Sequence, residues 1–135
     1  MGLAERRAAE QFKTEEFPGW QRQIDEAAGF EVPVEVEWAE LAVDDYASRY
    51  TEFFPKVYFQ PLVRALAAIT IDDMGKDALK DSLTKIVIRN TDAYASDTGF
   101  SFTGGVLTID HRPATNLDHD DDRAKWLQEL LESAL

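Results

Sequence analysis

The chain reads as an α+β domain, with a mainly antiparallel sheet of about four strands (32–38, 85–90, 99–103 and 106–111) and helices packed on one face. Three observations predict it. The apolar period drops to two along Val32–Trp38 and again along Lys85–Asn90. The segment from Phe100 to His111 is self-complementary about Gly104 and Gly105. The stretches between these strands carry apolar residues three and four apart, the spacing of a helix that buries one face. The predicted order is α-α-β-α-α-α-β-β-β-α. At 135 residues the whole chain, 1–135, is read as a single domain, long enough to bury roughly two thirds of the surface its unfolded form exposes.

Taken in order, Leu3, Ala4, Ala8 and Phe12 predict a weakly amphipathic first helix, with residues 1–16 packed loosely on the rest. Pro18 suits the first position of a second helix, on which Trp20, Ile24, Ala27 and Ala28 share a face until Gly29 caps it. Val32, Val34, Val36 and Trp38 then alternate with Pro33, Glu35, Glu37 and Ala39, giving a strand that Pro33 assigns to a sheet edge. Asp44 and Asp45 signal the next helix, which carries Tyr46, Tyr50, Phe53 and Phe54 and ends at Pro55. Another starts near Pro61 with Leu62, Val63, Leu66 and Ile69 inward. Asp72, Asp73 and Gly75 mark a turn before a short helix bearing Leu79 and Leu83. Phe53, Phe54, Tyr58 and Phe59 are read as core, because aromatics at helical spacing fill interiors.

In the strand at 85–90, Ile86 and Ile88 share one face, and Lys85, Val87 and Arg89 the other. If the first strand pairs with it, Glu35 and Glu37 come near Lys85 and Arg89. A two-residue turn at Gly104 and Gly105 sets Thr103 opposite Val106, Phe102 opposite Leu107 and Phe100 opposite Ile109. A slip of one residue would pair those apolar side chains with polar ones, so the register is specified locally. Asp120, Asp121 and Asp122 open a final helix with Trp126, Leu127, Leu130, Leu131 and Leu135 on its apolar face.

Twenty-six acidic residues against fourteen basic ones give a net charge of −12. Such a chain is repelled by nucleic acid and anionic lipid, whose binding depends on clustered Lys and Arg; its charge is read first as solubility and second as a surface that attracts a basic protein partner. With no cysteine there is no disulfide, thiolate zinc site, iron–sulfur cluster or thiol nucleophile. No apolar run reaches membrane-spanning length and the first residues lack a secretory signal, so a soluble, cytoplasmic protein is expected. No GxSxG elbow or phosphate-cradling glycine loop is present, and no cofactor is expected.

Asp118, Asp120 and Asp122 stand at the first, third and fifth positions of an EF-hand-like loop, with Glu129 at the twelfth. Arg123 occupies the sixth, where the loop needs glycine, and three acids opening a helix are explained by its dipole; no metal is therefore assigned. His111 and His119 beside Asp110, Asp118 and Asp120 supply the groups of an alternative reading, a small metal-assisted hydrolase or ligand-binding enzyme built on the 110–122 region. His111, at the end of the Leu107–Ile109 face, is more often in such a place a sheet-edge histidine bonded to backbone than a ligand. The polar loop Thr91–Thr98 offers Tyr94, flanked by Asp92 and Asp97, as the protein-binding candidate, since loops carry function and Tyr anchors interfaces. The leading expectation is a non-catalytic protein-binding module of the inhibitor, adaptor or immunity type. A third reading is a structural subunit of a homo-oligomer, joined through the sheet edge or the Trp126 helix.

Overall fold

Two prolines explain how the helices are built. In the computed structural model, which describes residues 2–92, 99–113 and 117–135, α1 (Leu3–Gln11) passes through a π-helical turn (Phe12–Glu16) into α2 (Phe17–Ala28). Likewise α4 (Tyr50–Phe54) passes through a π-helical turn (Pro55–Phe59) into α5 (Gln60–Ile69). Each wide turn ends two residues before a proline, Pro18 or Pro61. A proline ring inside a regular helix collides with the carbonyl four residues back and has no N–H to give it. The π turn relieves this: Phe17 N–H reaches Phe12 O and Gln60 N–H reaches Pro55 O, each one residue further back than in an α-helix. Pro18 and Pro61 thus stand in the first turn of α2 and α5, near the starts that the sequence suggested, but each of these helices continues a preceding helical segment. Asp44 and Asp45 do not cap α4 either; a short helix α3 (Trp38–Leu41) and a 3₁₀ turn (Ala47–Arg49) precede it, and Asp45 takes φ 70°.

The two π turns meet. Phe12 stacks on Phe59 at 5.8 Å and meets Phe54 edge-on at 5.1 Å, while Trp38 lies 5.9 Å from Phe12 and 5.3 Å from Phe17. Phe12 is 1% exposed, so the first helical segment is anchored at its π turn, while Leu3 at its start stands open to solvent. Trp38, expected on a strand, starts α3 yet still fills the core from there.

The sheet contains β1 (Val34–Val36), β2 (Lys85–Arg89), β3 (Phe100–Thr103) and β4 (Val106–Asp110) in the spatial order β1-β2-β4-β3. The α+β class and the four-stranded sheet stand as expected. The pairing sense differs from a mainly antiparallel one: β1–β2 and β2–β4 are parallel, and β3–β4 is antiparallel. The cause is connectivity. The helices between β1 and β2 form a crossover, which returns the chain in the same direction. After β2 the chain lays β3 at the far edge, and the hairpin then inserts β4 beside β2. The predicted hairpin register holds at each pair, Phe100↔Ile109, Phe102↔Leu107 and Thr103↔Val106. Gly104 and Gly105 supply the positive φ of that turn, 60° and 82°. Gly105 O also accepts Thr84 N–H at 2.8 Å, pinning the hairpin tip to the start of β2.

The first strand is shorter than 32–38. Pro33 precedes β1 at the sheet edge, where its carbonyl accepts Ile86 N–H at 2.9 Å and its missing donor costs nothing. Ile86, Ile88, Leu107 and Ile109 are buried under the helices, whereas Lys85, Val87, Arg89 and Thr108 line a partly open face. On that face Glu35 pairs with Lys85 at 3.3 Å as expected. Arg89 forms a two-point pair with Glu40 of α3, Nη2 to Oε2 at 2.9 Å and Nε to Oε1 at 3.2 Å, with the charge of Glu37 also acting on it. Finally α6 (Asp73–Ser82) leads into β2, and α7 (Asp120–Ala134), entered through a 3₁₀ turn (Leu117–His119), packs against α5. No described helix is long and apolar enough to cross a membrane.

Candidate functional site

The parallel strands β2 and β4 end together, and several polar residues singled out in the sequence gather there. Asp110 accepts Thr91 N–H at 2.8 Å on one carboxylate oxygen and the Thr91 hydroxyl at 2.5 Å on the other. Both oxygens are thus committed to holding the chain that leaves β2, which is the work of a brace. His111 is 8% exposed. Its Nδ1 lies 2.8 Å from the carbonyl of Arg112, and since a carbonyl can only accept, Nδ1 carries the proton. The Tyr58 hydroxyl donates to His111 O at 2.5 Å, tying the end of β4 to the helical layer. Burial lowers the His111 pKa, the neighbouring Arg123 and Arg112 lower it further, and the bond to Arg112 O and the charge of Asp110 partly oppose them. The imidazole is accordingly neutral at pH 7 and bonded to backbone as expected, though at the end of an inner strand and not at a sheet edge.

Asp92, in the left-handed region at φ 62°, pairs with Arg112. Tyr94 and Asp97, the other two residues proposed for partner binding, lie outside the described residues. Asp118 and His119 are exposed in the 3₁₀ turn, and Asp120, Asp121 and Asp122 occupy the first turn of α7. Arg64 of α5 binds Asp121 at 2.6 Å and lies 3.9 Å from Asp120, so these acids fasten α7 to α5. Glu129 sits two turns further along α7, 4.0 Å from Lys125. Among the described residues, no three His, Asp or Glu side chains converge in the manner of metal ligands. Asp110 and His111 are brought together with Thr91; Asp118, Asp120 and His119 are held on a different element and do not join them.

A second place, which the sequence reading passed over, is the turn from α5 into α6. Ile71 is 83% exposed and Met74 81%, and with Ala68, Ala78, Glu132 and Leu135 they line a groove of about 280 Å³. Exposed apolar residues grouped at a concave surface mark interaction sites; single ones scattered over a surface do not. The display is built in. Asp72 caps α6 by accepting Gly75 N–H at 2.8 Å. A Cβ on Gly75 would fall 1.7 Å from Ile69 O, so glycine is what lets α6 close on the end of α5. Thr70 then donates to Ala27 O at 2.6 Å, locking that end to α2. Ile71 and Met74 are therefore held outward on a fastened turn. Asp72 and Glu132 line the same groove, and Asp73 and Asp77 are exposed on α6. The signal available in the sequence was Ile71 beside, and Met74 within, a turn marked by Asp72, Asp73 and Gly75, where solvent-facing polar residues are the rule.

No protein-family model, curated protein or solved structure matches this chain.

Proposed function

We propose that the chain is a non-catalytic protein-binding module of the cytoplasm that engages a basic protein partner. The observation that carries this reading is the outward display of Ile71 and Met74 at a groove whose lining includes the carboxylates of Asp72 and Glu132. Leaving two large apolar side chains in water forgoes roughly 1.5–3 kcal/mol each that burial would return, and a partner recovers it. The carboxylates accelerate encounter with a positively charged surface and disfavour an acidic one. The test replaces Ile71 with a photoreactive benzophenone amino acid, in cells that naturally express the chain, and the exposed Lys13 in a parallel control. Expected is a discrete adduct from position 71, weakening as salt rises, with a partner of net positive charge. Equal labelling from positions 71 and 13, or none from 71, overturns the reading. An adduct of twice the chain's mass would replace it with self-association.

A further inference from the structure

We infer that the groove receives a single amphipathic helix from that basic partner, an inference that rests on the docking reading above and names the form of what docks. Its walls are the α5–α6 turn, α6 and the end of α7, so no strand edge borders it and an extended peptide finds no backbone ladder to join. At about 280 Å³ it falls just below the roughly 300–1,000 Å³ of small-molecule sites. That space suits a pair of apolar anchors one helical turn apart.

Charge placement orients the occupant. At ~100° per residue, Asp77 and Asp81 fall within about 60° of Met74 around α6, whereas Lys76 and Lys80 lie at least about 120° away. Glu132 faces the groove from α7. The one arginine on α5, Arg64, a turn before Ala68, is engaged with Asp121 at 2.6 Å. Lysines or arginines flanking the anchors of a docked helix therefore meet carboxylates along the outer lip. A second copy of this chain fits badly, because a two-fold contact here sets Asp72, Asp77 and Glu132 against their own equivalents on a molecule of net charge −12.

The experiment uses the full chain and three synthetic peptides: a helix former with leucine anchors three and four residues apart between lysines, a scramble of the same composition, and the first peptide with every lysine replaced by glutamate. Methyl NMR at Ile71, Met74 and Leu135 reports where each one sits. The basic amphipathic peptide is expected to bind about tenfold tighter than the scramble and to shift those methyls. Asp77→Lys and Asp81→Lys should each weaken it by about two- to fivefold, and the double variant Ile71→Ser, Met74→Ser should reduce it to the level of the scramble. Because Ile71 and Met74 are exposed, the melting temperature of that variant reports independently that the fold is intact. Equal binding of the basic peptide and its scramble, unmoved methyls at 71 and 74, or dimerisation that moves the same methyls would each overturn the inference. If a basic partner is captured from position 71 while the peptides fail to discriminate, the docking reading survives and its helical form does not.

Discussion

His111 shows how one residue's surroundings set a property of the whole fold. Buried at the end of β4 beside Arg123 and Arg112, its imidazole resists protonation when folded, whereas in the unfolded chain it takes a proton near pH 6.5. The contribution is complete above that value and is lost as pH falls through 6.5 towards the lowered folded pKa, because over that range the unfolded state binds the extra proton. Wild-type protein should therefore lose more stability between pH 7.5 and 5 than His111→Asn, which keeps a donor for Arg112 O. The difference should grow at up to about 1.4 kcal/mol per pH unit. Denaturant unfolding at each pH measures it, and the many carboxylates cancel in the comparison; parallel profiles for the two proteins would refute the assignment. That His111 ends an apolar face was legible from its alternation with Leu107 and Ile109. That Tyr58 and Thr91 close round its neighbourhood was not, because those contacts join residues far apart in the chain.

Among the elements, the first helical segment carries the clearest energetic claim. Its largest buried side chain is Phe12, which meets Phe54, Phe59 and Trp38 from the π turn before Pro18. Phe12→Ala should cost about 3–5 kcal/mol, whereas Leu3→Ala, at the open start of α1, should stay within about 0.5 kcal/mol. Equal, small effects at both positions would mean that the segment frays and is not a core element. Pattern reading placed Phe12 on the buried side and helix starts near Pro18 and Pro61, but not the helical segments that run unbroken into them. Both uses of proline look alike in a sequence, and what separates them is whether the preceding turn can widen. The hairpin shows the opposite case: Gly104 and Gly105 and four alternating apolar residues specify its register within twelve residues of chain.

For the molecule as a whole, net charge sets both stability and company. Twelve excess negative charges repel one another in the compact state, and the repulsion is screened as the Debye length shrinks from about 30 Å at 0.01 M salt to about 8 Å at 0.15 M. The free protein should therefore melt a few degrees higher across that range, while its complex with a basic partner weakens. Calorimetry of the free chain reads the first effect; a falling melting temperature would show that the internal pairs Arg89–Glu40, Lys85–Glu35 and Arg64–Asp121 outweigh the repulsion.

Local order in the chain determined the helix faces, the strand alternation, the hairpin register and the acidic character, since each depends on neighbours within a turn or a hairpin. Strand order, the parallel pairing of β1 with β2 and of β2 with β4, and the convergence of Ile71, Met74 and Leu135 on one groove were decided by closure of the chain between segments well separated in sequence. Backbone period says which side of an element seeks the core. It does not say which way a crossover returns, nor which apolar side chains are left over once the core is full.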